Sequence, residues 1–120
     1  MIELITGLPD DTVGFNAKGK VTGEDYETVL IPLVEEKLKT HKKINVLYHC
    51  GKDFDSFEAH AMWDDAKTGL MHITAWHKIA IATDVHWLRN MSKAFGFLMP
   101  AKVKIFANNE LEQAKQWLAE

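Results

Sequence analysis

The sequence predicts an α/β protein: a single mixed, mostly parallel five-stranded sheet with helices on both faces, in the order β-β-α-β-α-β-α-β-α. Three observations predict it. The stretch from Ile44 to Cys50 is apolar on both faces, as a strand covered by helices on each side should be. Two short, partly alternating segments near the start are separated only by Gly7-Leu8-Pro9-Asp10-Asp11, so they pair antiparallel. The later strand-like segments alternate with stretches of helical periodicity that carry their own start signals, and such crossovers join parallel strands by right-handed connections.

In order, Ile2 to Thr6 and Thr12 to Lys20 are the first two strands. Thr22 offers a side-chain oxygen to the following turn, with Asp25 three residues on. Tyr26, Val29, Leu30, Leu33, Val34 and Leu38 then recur at helical spacing, so the first helix covers about residues 23–39. Pro32 removes a backbone bond inside it, which predicts a bend near Thr28 to Pro32 rather than two helices. Strand three, Ile44 to Cys50, is central and should open into a polar loop at 52–56. Asp55 and Glu58 have the spacing of a capping box, starting a second helix near Ser56 that buries Ala59, Met62, Trp63, Ala66, Leu70 and Ile73. Gly69 followed by Leu70 fits a helix stop, leaving 70–77 as a separate short helical turn. Lys78 to Thr83 is strand four. Asp84 caps a third helix over about 85–98, closed by Pro100, and Lys102 to Ala107 alternates Lys with Val and Ile as an edge strand does. Asn109 and Glu112 make another capping box, and Leu111, Ala114, Trp117 and Leu118 form the stripe of a final helix. With no internal repeat and no linker, residues 1–120 form one domain.

Composition narrows the function. The chain is 47% hydrophobic and 26% charged, ordinary for a globular domain, and its net charge is only −3. Arg89 is the sole arginine, so bidentate recognition of phosphates and bases is poorly served and no nucleic-acid partner is expected. The lone cysteine, Cys50, has no internal disulfide partner, and no apolar run approaches the ~20 residues of a membrane span or the layout of a signal peptide. A cytoplasmic location is expected, with peripheral attachment to the inner membrane as an addition.

The chain resembles the SpoIIAA-like family of small bacterial proteins, related in fold to STAS domains and more loosely to CRAL-TRIO lipid-binding domains. The resemblance rests on Glu24-Asp25-Tyr26 with Ile31-Pro32, on Ile44-Asn45-Val46-Leu47-Tyr48, and on Trp63-Asp64-Asp65-Ala66-Lys67 before Gly69 and His72. It continues through Ile79-Ala80-Ile81-Ala82-Thr83-Asp84 with Trp87 and Phe95 to Ala114-Lys115-Gln116-Trp117-Leu118. In STAS antagonists of sigma-factor regulation, the loop after the central strand carries a phosphorylatable serine. The resemblance therefore marks Asp55 and Ser56 as a switch candidate, although Phe57 and Glu58 replace the small residues of that motif and Asp53, Asp55 and Glu58 would repel a phosphate. Without the switch, Ser56 reads as a capping or first-turn residue.

Six histidines invite a metal or acid–base reading. His60 and Asp64 stand one helical turn apart, but such polar pairs are common on solvated faces, and no paired metal-ligand spacing accompanies them. His49 and Cys50, adjacent on a strand, point to opposite faces and cannot form a base and nucleophile pair. No enzyme, metal or cofactor is therefore expected. The third helix has a wide apolar arc, including Trp87, Met91 and Phe95, with Phe97 beside Arg89 and Lys93. Aromatic residues among basic ones suit a headgroup layer or a partner surface, including a homodimer interface, with the cations left in water.

The leading expectation is a non-enzymatic binding module. A cavity between the sheet and the second and third helices would be lined by Met62, Trp63, Met71, Trp76, Trp87 and Met91, adaptable or amphipathic side chains suited to a small apolar or lipid-like ligand. The segment from Phe54 to His77 would act as a lid. The alternative is a STAS-type regulator that switches protein partners through the Ser56 loop.

Overall fold

The computed structural model describes residues 1–57, 76–98 and 101–120. Its five strands are β1 (Ile2–Ile5), β2 (Thr12–Val21), β3 (Ile44–Phe57), β4 (Trp76–Thr83) and β5 (Lys102–Phe106), and they lie side by side in chain order. β1 pairs antiparallel with β2, and every later pair is parallel. β3 is central, as its two apolar faces require.

The expected first helix is built in three pieces: α1 (Gly23–Asp25), a π turn (Tyr26–Leu30) and α2 (Ile31–Leu38). Its start is capped reciprocally, since the Thr22 amide donates to Asp25 Oδ2 at 2.8 Å and the Asp25 amide donates to Thr22 Oγ1 at 3.3 Å. Burial works against the Asp25 carboxylate, yet the Thr22 donors and the Met1 ammonium at 3.2 Å together hold its pKa below the usual value. The disturbance expected at Pro32 takes the form of the π turn just before it. Proline has no N–H to return to the previous turn, and a wider turn accommodates the missing bond.

Three boundaries differ from the sequence reading. β3 does not stop at Cys50: residues 51–57 continue as a strand beside β2, with Gly19 opposite Phe54, Lys20 opposite Ser56 and Val21 opposite Phe57 after shifts of register. Asp55 and Ser56 are therefore strand residues rather than a polar loop and a helix cap. The single apolar residue Phe54 among Lys52, Asp53 and Asp55 left their alternation too weak to read. β4 begins at Trp76, so Trp76 and His77 belong to it and not to a helical turn. The final helix, α4 (Leu111–Ala119), follows a 3₁₀ turn (Asn108–Glu110) that moves the capping carboxylate. Glu110, not Glu112, accepts the Ala107 amide at 2.8 Å, and Glu112 pairs with Lys115 instead.

The sheet separates two cores. On one face Val13, Phe15, Ala17, Val46 and Cys50 pack beneath Val34 of α2 and Leu88 of α3 (His86–Leu98). On the other, Leu47, Ala80, Ala82 and Phe106 pack beneath Ala114 and Leu118 of α4. Right-handed crossovers that step the same way across a sheet place their helices on the same face. The connections from β2 to β3 and from β4 to β5 do so, which among the described residues leaves the second face to α4. One helix is about 10–12 Å across, while strands lie about 4.8 Å apart, so it covers only part of a five-stranded sheet.

α4 is fixed over β3 and β4 by two buried polar residues. Asn45 Nδ2 donates to the Leu118 carbonyl at 3.2 Å, and Asn45 Oδ1 accepts the Lys78 amide at 3.1 Å. Lys78 Nζ donates to the carbonyls of Trp117 at 3.0 Å and Glu120 at 2.8 Å, supplying a cation where the helix dipole is negative.

Candidate functional site

The part of the second face that α4 leaves open holds a cavity of ≈ 340 Å³. Its floor is β2 and β3, through Asn16, Ala17, Lys18, His49, Gly51, Lys52 and Asp53. β1 contributes Ile5, and the first two turns of α4 contribute Leu111 and Lys115. Register explains the grouping. Asn16 lies beside His49 in the β2–β3 pair, and both fall on the face of Leu47 rather than that of Cys50. Two glycines shape this face: Gly14 lets Ile5 and Leu8 close down on β2, and Gly51 lines the cavity beside the His49 ring. A Cβ on Gly14 would sit 2.5 Å from Leu8 Cδ1 and 2.9 Å from Ile5 Cβ, and one on Gly51 would sit 3.3 Å from His49 Cε1.

His49 is the best-positioned chemical group. Its Nδ1 lies 2.7 Å from Asn16 Oδ1, which fixes the plane of the ring. Burial holds its pKa below the ordinary imidazole value, the Asn108 side chain pulls it back up, and the Lys115 ammonium pushes it down. Asn108 Oδ1 is itself buried and makes no hydrogen bond of full geometry, although its side chain is near enough to the ring to favour the charged form. Around the ring stand Lys18, paired with Glu3 at 2.9 Å, and Lys115, paired with Glu112 at 3.4 Å.

Cys50 points the other way into the first core and is fully buried, and burial raises its thiol pKa to about 12. It should therefore resist aromatic disulfide reagents at pH 8 and react in full only after unfolding in denaturant. Rapid reaction of the native protein would contradict this burial.

The residues singled out from sequence are scattered. Met62, Trp63, Met71, His60 and Asp64, with most of the expected lid, lie outside the described residues. Trp76 is half-buried in the first core. Trp87 is 47% exposed on α3, its ring 6.3 Å from that of Phe54. Met91, Phe95 and Phe97 lie along the same helix, and Lys93 is exposed. Arg89 corrects an expectation. It does not stand free in water, because its Nη1 donates to the carbonyls of Thr83 at 2.8 Å and Phe106 at 3.0 Å, tying the ends of β4 and β5 together. Asn16, Leu111 and Lys115 were missed as site residues, since only strand register and the seat of α4 bring them to His49.

The five-stranded sheet with its single antiparallel edge is matched by comparison with known proteins. The SpoIIAA-like family model matches residues 12–119. The chain belongs to the SpoIIAA-like family. It is similar to the crystal structure of an uncharacterized protein with a SpoIIAA-like fold from Shewanella loihica PV-4, at 28% identity and a TM-score of 0.75, over 98% of this chain and 92% of that one. The curated proteins contain no match. This SpoIIAA-like domain is thus of the STAS type. No helix among its described residues is long and apolar enough to cross a membrane, and those residues include no cluster of His, Cys, Asp and Glu that could hold a metal ion.

Proposed function

We propose that this SpoIIAA-like domain is a non-enzymatic binding module that takes one small amphipathic molecule in the cavity beside α4. The observation that carries the reading is the cavity's composition. Ile5 and Leu111 form an apolar side, while His49, Lys52 and Lys115 form a polar one. Convergent polar groups in a mostly apolar recess are the usual make-up of a ligand site. At ≈ 340 Å³ it lies at the small end of the range of about 300–1,000 Å³ for such sites, which favours a compact molecule over a lipid with two long chains. The cavity lies on the face opposite α3, so this ligand would not meet Trp76 or Trp87.

Partner switching of the STAS kind is compatible with the fold, but Ser56 lies in a paired strand opposite Lys20, not at the helix start where free amides would receive a phosphate. Arg89, engaged by backbone carbonyls, lends no support to peripheral membrane contact through α3.

Native mass spectrometry of protein purified gently from cells is expected to show a fraction carrying one extra small mass, absent from Gly51→Val. A valine there crowds the His49 ring and fills the cavity. An equal extra mass on both proteins would place the ligand elsewhere, and none on either, after direct screening of small amphipathic compounds, would remove the reading.

A further inference from the structure

We infer that the cavity ligand carries an anionic group that sits between His49, Lys52 and Lys115, and that its capture takes up a proton at the imidazole. The inference deepens the binding-module reading and rests on it.

The charge balance of the lining favours an anion. Three ammonium groups, on Lys18, Lys52 and Lys115, face a single lining carboxylate, Asp53. Glu3 holds Lys18 at 2.9 Å, but the Glu112 carboxylate that meets Lys115 at 3.4 Å is 79% exposed, and such surface pairs bind weakly. Lys52 makes no ion pair among the described residues. The cavity thus offers two cations from different elements, Lys52 on β3 and Lys115 on α4, beside an apolar side that would receive the rest of the molecule.

The proton follows from the hydrogen bonds of His49. Asn16 Oδ1, 2.7 Å from Nδ1, can only accept, so Nδ1 carries the hydrogen and Nε2 is the nitrogen that can gain one. Gly51 leaves the Cε1–Nε2 edge of the ring uncovered. The ring's surroundings also hold an acceptor in need of a donor, the buried Asn108 Oδ1.

Lys115 is one of the influences that keep the ring neutral when the cavity is empty. An anion seated against Lys115 cancels that repulsion and adds attraction, so proton and anion bind cooperatively, and each strengthens the other by the same factor. The other charged groups that face the site are Lys18 with Glu3, Lys52, Lys115 with Glu112, and Asp53, which opposes the anion.

Titration calorimetry with two probes separates the chemistries that could supply the charge: inorganic sulfate, whose charge is constant over the range, and hexanoate, a carboxylate with an apolar tail. At least one should bind the wild-type protein. Its affinity should rise several-fold between pH 7.5 and 5.5, toward a limit of about tenfold for each unit by which the anion raises the imidazole pKa. Buffers of different ionisation enthalpy should report uptake of a fraction of one proton at pH 6.5. His49→Gln should abolish both the pH dependence and the proton uptake, and Lys115→Met should weaken binding throughout. Failure of both anions to bind, with a co-purified mass still present on the wild type, would overturn the anionic ligand and leave the module standing. Binding without proton uptake, unchanged in His49→Gln, would overturn the role of the imidazole.

Discussion

Asn45→Ala is expected to lower the free energy of unfolding by about 2–4 kcal/mol, read from urea melts followed by circular dichroism. Asn45 is 4% exposed and bonds two backbone groups of different elements: the Lys78 amide of β4 and the Leu118 carbonyl of α4. Leaving a buried donor or acceptor unmade costs about 1–3 kcal/mol each, more than the bond contributes when present. The change should also be felt at the cavity. Leu111 and Lys115 stand on the helix that Asn45 helps to fix, so a bound small molecule should be held more weakly even though Asn45 touches no part of the site. A loss within about 0.5 kcal/mol, the ordinary range for surface substitutions, would show that the two groups find other partners.

Arg89→Met should cost about 2–3 kcal/mol in the same measurement, with the apolar stem retained so that the loss reports the head group. Its two bonds to the Thr83 and Phe106 carbonyls are charge-assisted and worth about 1.5–3 kcal/mol each when sheltered, with a reduction here because the side chain is only half-buried. Were Arg89 the solvated headgroup contact that its sequence neighbours suggest, the same change would leave stability almost untouched and weaken binding to anionic vesicles. The two roles therefore give opposite results in two simple assays.

The pattern of these residues explains what could be read from sequence. The order of elements, the antiparallel first pair and the central strand follow from turn chemistry and hydrophobic period, which are local. Thr22 and Asp25 could be recognised as a cap because both partners lie within one turn. Asp55 and Glu58 show the same spacing, but Asp55 lies in a strand, since pairing with ten-residue β2 outweighs a local capping preference. Arg89 was misread for a similar reason: its partners are carbonyls at the ends of two strands, one of them 17 residues further on, and nothing in the local sequence brings them to it. The candidate site was the least legible part. His49 was noticed beside Cys50, its neighbour in sequence, whereas its neighbours in space are Asn16, 33 residues earlier, and a lysine on the final helix.

The strands lie in the sheet in the order in which they are made, β1 to β5, with none inserted between two earlier ones. On the ribosome, each strand from β2 onward can add to an edge already present, and no finished pair has to reopen for a latecomer. The growing edge changes with every step: β2 presents it, then β3, then β4, and each is hidden by the next strand. β5, which remains at the finished edge, carries Lys102 and Lys104, charges that discourage another chain from continuing the sheet. Until α4 settles on Asn45 and Lys78, the second core lacks the helix that closes it. A nascent chain halted before Leu111 would hold a nearly complete sheet whose Leu47, Ala80 and Ala82 lack the cover of α4, and that stage of synthesis is where chaperone contact should be strongest.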